Sequence, residues 1–199
     1  MDVRMEDRMD AELRSENLLE RVEQKDPSTF RHSCRVAEMI REWAGHMHVR
    51  GFWGEWSVRQ LELSGRIHDV GKIGVPDSIL NKAGPLDSVE RERMNAHAEE
   101  GYELVKHLPH LAFAALAVRH HHERWDGLGY PAGLKGEQIP FQARVVAIVD
   151  AFDAMTEDRV YRRGRSSGEA LQELERCAGS HFCPSLVRDF IQFIHARNG

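Results

Sequence analysis

The segment FQARVVAIVDAFDAM, residues 141–155, is apolar on most sides and yet carries an aspartate near its middle. No other stretch limits the fold so strongly. Its length, and the helical segments that follow it, favour a helix over a strand. A helix that is apolar all round is buried all round, so other elements must surround it. An unpaired carboxylate in such a place costs several kcal/mol. Asp150 therefore needs a partner, and the rest of the chain must supply one.

The surrounding elements are helical too. Val36, Met39, Ile40 and Trp43 fall on one face of a helix, and Val58, Leu61, Ser64, Ile67 and His68 repeat the spacing. Asp87 with Glu90 reads as a capping box that opens a helix running to about Lys106, and Ser166 with Glu169 opens another over 167–177. Leu111, Ala114, Ala115 and Val118 mark a helix ending at a run of histidines, and Pro184 suits the first turn of one over 184–196. Residues 4–23 are a further amphipathic candidate, with Met9, Leu13 and Val22 roughly on one side. Convincing β alternation is absent. A chain of 199 residues fills one domain with little left over. The expected fold is all-α, a single-domain helical bundle.

Bulk properties exclude several functions. The net charge of -5, from 27 basic and 32 acidic residues, argues against binding a nucleic-acid polymer. No apolar run reaches the roughly 18 residues of a spanning helix, so no membrane role is expected. The charged N-terminus lacks the apolar core of a secretory signal, and a cytoplasmic location is expected. Three cysteines without CxxC spacing argue against a disulfide framework or a structural zinc site.

What remains is a set of polar residues on apolar helix faces. His32 opens one helix, His68 and Asp69 end another, His97 sits in the middle of a third, His121 and His122 close a fourth, and Asp150 lies in the buried one. A lone histidine on a helix is more often a hydrogen-bonded structural group than a ligand. Five helices each delivering such a group is a joint pattern of another kind, because these groups stay buried only when paired or bound to metal. Helical bundles build metal sites from ligands on facing helices. Neighbours on a helix point about 100° apart, so His68 and Asp69 serve two different metals if the carboxylate bridges them. A nitrogen and oxygen donor set without thiolate suits iron or manganese better than zinc. In the run HHHERWDGLGYP, residues 120–131, two of the three histidines are expected to be ligands and the third not.

HDVGKIGVPDSIL (68–80), HHERWDGLGYPAGLKGEQIP (121–140) and DAFDAMTEDRVYR (150–162) resemble the HD-GYP family of HD-domain metal-dependent phosphohydrolases. The resemblance runs from about Asp26 to Phe193. It implies an HD-domain-like bundle with a GYP loop over residues 26–199, preceded by an N-terminal helix in residues 1–25 suited to dimerisation or signalling. It implies two divalent metal ions, iron or manganese, held by His32, His68, Asp69, His97, His121, His122 and Asp150, with Asp69 as the bridge. Lys72 matches the family's catalytic lysine, Tyr130 the tyrosine of the GYP loop, and Arg159 and Arg162 the pair that holds substrate phosphates. His120 falls outside the motif, as a surface residue or a neighbour of the ligands. Asp153 and Glu123 are candidates to hold histidine tautomers, Tyr130 offers a ring for guanine, and Trp125 is expected to pack on the bundle.

The implied activity is hydrolysis of cyclic di-GMP to linear pGpG and/or GMP by a metal-bridged hydroxide. Diguanylate cyclase (GGDEF) proteins and a second copy of the chain are the expected partners. The alternatives are a related cyclic dinucleotide as substrate, or a non-catalytic module that binds the dinucleotide or a cyclase. Two positions depart from the family pattern. Ser28 stands where some members carry a glutamate that recruits a third metal, and Cys183 stands where an aspartate would cap the last helix.

Overall fold

The computed structural model describes residues 17–49, 57–158 and 163–198. Residues 17–25 form helix α1, followed by α2 (Pro27–Val49), α3 (Val58–Ile67), a 3-10 turn (Val70–Gly74), α4 (Asp77–Leu80), α5 (Ser88–Asn95), α6 (His97–Val105) and α7 (Ala115–His120). A short 3-10 turn (Gly136–Gln138) then leads to α8 (Phe141–Thr156), α9 (Ser167–Arg176) and α10 (Pro184–Asn198). No β-strand occurs among the described residues; one isolated bridge pairs Ala178 with Phe182. The all-α bundle expected from the apolar spacing is what forms.

Helix α8 lies at the centre. Val145, Val146, Ile148, Val149 and Phe152 pack with Ile40 and Trp43 of α2, Leu61 of α3, Leu174 of α9 and Phe190 of α10. The indole of Trp43 is fully buried, and its N–H donates to Asp189 Oδ1 at 2.8 Å, so the largest core side chain leaves no polar atom unpaired. A second, smaller core gathers Leu18 and Val22 of α1 with Ile67, Val70, Val105, Leu111 and Val118. Trp125 packs against the larger core, with the Arg144 guanidinium 5.8 Å from its ring centre. Met9 and Leu13 lie outside the described residues. No helix among the described residues is long and apolar enough to cross a membrane.

The capping boxes at Asp87/Glu90 and Ser166/Glu169 both form. Three boundaries differ from expectation. Helix α2 begins at Pro27, because Asp26 accepts the backbone N–H groups of Ser28 and Thr29, and His32 therefore lies in its second turn. The helix expected to run from Asp87 to about Lys106 divides at Ala96, so His97 is the first residue of α6 rather than a mid-helix position. The segment from Leu108 to Ala114 is turns, with α7 starting only at Ala115. Cys183 is buried, its sulfur 3.3 Å from Ser185 Oγ, and all three cysteines are free.

Candidate metal centre

The seven expected ligands converge. They form two groups, Asp69 with His97, His121 and His122, and His32 with His68 and Asp150; within each group one donor atom per residue lies within 4.8 Å of the others. Asp69 stands between the groups. Its Oδ1 lies 3.4 Å from His97 Nε2 and 3.8 Å from His121 Nε2, while its Oδ2 lies 3.4 Å from His68 Nε2 and 2.6 Å from Lys72 Nζ.

Three of the histidines are aimed by one local device. His68 Nδ1–H donates to the Gly65 carbonyl at 2.7 Å, His97 Nδ1–H to Met94 at 2.7 Å, and His121 Nδ1–H to Val118 at 2.8 Å. Each acceptor lies three residues back, in the last turn of the preceding helix, where a helix leaves carbonyls without internal partners. A carbonyl can only accept, so Nδ1 carries a proton, and in the neutral ring Nε2 is left to present a lone pair. At Met94 this bond falls at the division between α5 and α6.

The consequence is a convergence of acceptors. His97 Nε2 and His121 Nε2 face each other at 3.4 Å with Asp69 Oδ1 beside them. His68 Nε2 is buried and makes no hydrogen bond. Lone pairs crowded together in a buried site repel unless a cation lies among them, so the donor set fits divalent metal. Nitrogen and oxygen donors without sulfur suit a first-row transition ion.

His32 is aimed differently. Its Nδ1 meets Asp153 Oδ2 at 2.7 Å and its Nε2 meets Asp150 Oδ1 at 3.0 Å. Asp153 is held in turn by Arg35, through Nε at 2.8 Å and Nη2 at 2.9 Å. Burial opposes a charge on His32, but the hydrogen bonds to Asp150 and Asp153 outweigh it and raise the pKa to about 9. A metal taken up here below that pH must displace a proton. Burial alone would raise the Asp150 pKa, yet the hydrogen bond from His32 holds it below the usual carboxylate range. Asp69 is also buried, which would raise it, but the charge of Lys72 holds it well below that range. Lys72 stays charged, because Asp69 more than offsets the effect of burial. Burial and the neighbouring His97 push His122 down to about 3.

Asp153 therefore orients His32, a candidate ligand, as expected of a residue that holds a histidine tautomer. Replacing it with asparagine should weaken metal at the His32 group by about 10- to 100-fold while leaving the group around His97 less affected. Stepwise manganese titration of the metal-free protein measures both affinities; equal losses at the two would refute the assignment.

Other expectations need correction. Glu123 holds no ligand histidine: its carboxylate accepts the backbone N–H groups of Ala132 at 2.7 Å and Leu134 at 3.0 Å. His120 is buried, which leaves the second of its two expected places, a neighbour of the candidate ligands. The Tyr130 ring is stacked on His122, centroids 4.7 Å apart, so one of its faces is already occupied. Burial, with the charges of Asp69 and Asp150, raises its hydroxyl above the usual tyrosine range. The Tyr130–Pro131 peptide bond is cis. Arg159 and Arg162 lie outside the described residues.

A family model described as HD domain matches residues 14–186. A cyclic di-GMP phosphodiesterase of Thermotoga maritima is 37% identical over 172 residues, covering 85% of this chain and 46% of that protein. A 3'3'-cGAMP-specific phosphodiesterase 2 of Vibrio cholerae is 38% identical over 175 residues, covering 86% and 32%. This chain thus spans less than half the length of these curated relatives. Among solved structures, the HD domain of the Listeria monocytogenes phosphodiesterase PgpH has a TM-score of 0.63 at 15% identity, covering 91% of this chain and 96% of that one, a likeness of fold. With the paired histidine and aspartate at 68–69, the GYP loop at 129–131 and the match over most of its length, the chain belongs to the HD-domain family, in its HD-GYP branch.

Proposed function

We propose that this chain is a metal-dependent phosphodiesterase that opens cyclic dinucleotides, with cyclic di-GMP as substrate and pGpG and/or GMP as product. One observation carries this reading: the two oxygens of a single buried carboxylate, Asp69, face separate histidine groups, and a charged lysine touches one of them. The names of the relatives support a cyclic-dinucleotide substrate. Iron or manganese is the proposed metal, two ions per chain, one in each group.

When bound, paired metals supply a nucleophile near neutral pH and neutralise phosphate oxygens. The chain's own residues do the rest. The three helix-end carbonyls fix the tautomers of His68, His97 and His121. Lys72, charged at neutral pH, offsets charge developing on the leaving ribose oxygen. Tyr130 keeps its proton and presents an O–H donor at the mouth of the site. Arg159 and Arg162 hold substrate phosphates through the guanidinium fork, which matches a phosphate bidentately. A module that only binds a dinucleotide has no use for Lys72 beside the metal ligands.

The test uses anaerobically purified protein, its metal content measured, and turnover assayed on cyclic di-GMP and 3'3'-cGAMP side by side. Lys72→Ala is expected to lower kcat while both metals stay. Arg159→Ala and Arg162→Ala are each expected to raise KM by about 10- to 150-fold, the equivalent of about 1.5–3 kcal/mol for a charged hydrogen bond. Binding without turnover by the metal-loaded wild type would favour the signalling module instead. Loss of metal in Lys72→Ala would overturn the role given to that lysine.

A further inference from the structure

His120 belongs to neither ligand group, yet only 6% of it is exposed. Its Nδ1 lies 3.4 Å from Glu123 Oε1, one turn on. The Glu123 side chain is itself 0% exposed. A buried carboxylate is tolerated only when its lone pairs are used. Here one oxygen takes the Ala132 N–H and the other the Leu134 N–H, nine and eleven residues further along. These amides flank Gly133, on the far limb of the GYP loop.

The near limb is equally constrained. A Cβ at Gly129 would sit 2.3 Å from the Arg124 nitrogen and 2.5 Å from the Glu123 Cα, so only glycine lets the loop fold back onto the turn after α7. The Tyr130 N–H then reaches the His122 carbonyl at 3.3 Å, and its ring stacks on the His122 imidazole. Both limbs therefore rest on the turn that carries two metal-ligand candidates.

We infer that His120 and Glu123 form a buried strut that fixes the GYP loop and so sets Tyr130 over His122, making both of them positioning residues for the substrate side of the site rather than for the metals. The inference rests on the phosphodiesterase reading only for its kinetic consequence. Glu123 ties the loop down through two amides at once, which a neutral amide side chain cannot do, because its nitrogen offers no acceptor. His120 adds its Nδ1 beside Oε1, the oxygen that also takes the Ala132 N–H. The leftover histidine of the three in sequence thereby acquires a function at one remove from the chemistry.

The test compares wild type, Glu123→Gln, His120→Ala and His120→Gln as metal-loaded, full-length chains. Amide hydrogen exchange is followed over residues 126–138, together with metals per chain, KM and kcat. Both Glu123→Gln and His120→Ala should keep two metals per chain and exchange faster in the loop. KM should rise about tenfold in Glu123→Gln, the effect of losing one hydrogen bond of ordinary strength, and about threefold in His120→Ala, with kcat held. His120→Gln restores a donor and should recover part of the protection. Wild-type exchange in both first variants, or metal loss in either, overturns the strut. If Glu123→Gln does not fold, the His120 pair decides alone. Should the wild type hydrolyse no cyclic dinucleotide, the phosphodiesterase reading fails while exchange still judges the strut.

Discussion

Replacing Asp69 with alanine is expected to empty both metal positions and to lower hydrolysis at least about a thousandfold, equivalent to about 4 kcal/mol of transition-state stabilisation. The size follows from the position of the carboxylate. Oδ1 faces His97 and His121 while Oδ2 faces His68, so removing the side chain strips a donor from each group at once. It would also remove the anionic charge shared by the two groups, and two divalent cations bound there would then repel each other without a common counter-ion. Asp69→Asn keeps the shape and one acceptor, and should retain one group's ion more often than the alanine variant does. The wild type should carry two ions and no third, because Ser28 Oγ is committed to the Asp26 carboxylate at 2.8 and 3.0 Å. Metal analysis on anaerobically purified protein checks each point. Two ions retained in Asp69→Ala, or an occupied third position at Ser28, would refute the shared-carboxylate arrangement.

The candidate ligands are legible in the sequence because most of them break a local rule. Asp150 interrupts an apolar helix, His68 and Asp69 close an amphipathic one, and His121 and His122 end another. Periodicity is a property of neighbours three and four residues apart, so a polar group on an apolar face stands out without any knowledge of the fold. The division of α5 from α6 escaped the same reasoning. The His97 imidazole meets the Met94 carbonyl at that point, and nothing in the spacing of Met94, Ala98 and Gly101 distinguishes the break from a continuous helix.

The supporting contacts were less legible for the same reason. Asp153 meets His32 from 121 residues away in sequence, so an ordinary helix-face carboxylate and an orienting one look alike until α2 and α8 are packed. Glu123 is a candidate to hold a histidine tautomer, but the histidine beside it is His120 and not a candidate ligand, and its carboxylate takes the Ala132 and Leu134 amides. Tyr130 offers a ring for guanine, and the turn at Gly129 lays one face of that ring on His122. In each case the partner is chosen by tertiary packing, and the hydrogen-bonding side chain alone does not name it.

Gly71→Ala should do nearly as much damage as loss of Asp69, from a residue with no chemistry of its own. A Cβ at this position would lie 1.9 Å from the His97 carbonyl oxygen, 2.6 Å from the Gly101 nitrogen and 2.8 Å from the His97 carbonyl carbon. All three are backbone atoms, and no rotamer change relieves them. The 3-10 turn that carries Lys72, entered from Asp69, must back away from α6 by more than an ångström. His97 is the first residue of α6, so the 3.4 Å approach of its Nε2 to Asp69 Oδ1 opens by a similar amount. Overpacking of this kind costs about 1–3 kcal/mol, and more where backbone meets backbone. At about 2–4 °C per kcal/mol for a chain of this size, Tm should fall by roughly 6–12 °C for a 3 kcal/mol loss. The metal group around His97 should empty while the His32 group keeps part of its ion. Gly45→Ala is the matched control, since nothing lies within 4 Å of a Cβ there. In mid-helix it should stabilise by about 0.5–1 kcal/mol. Circular dichroism melts and metal analysis on the two variants separate close approach from helix propensity. A Gly71→Ala protein with wild-type Tm and a full metal complement would mean that the turn and α6 have room to part without disturbing the site, and the account of how Asp69 is brought to His97 would fall with it.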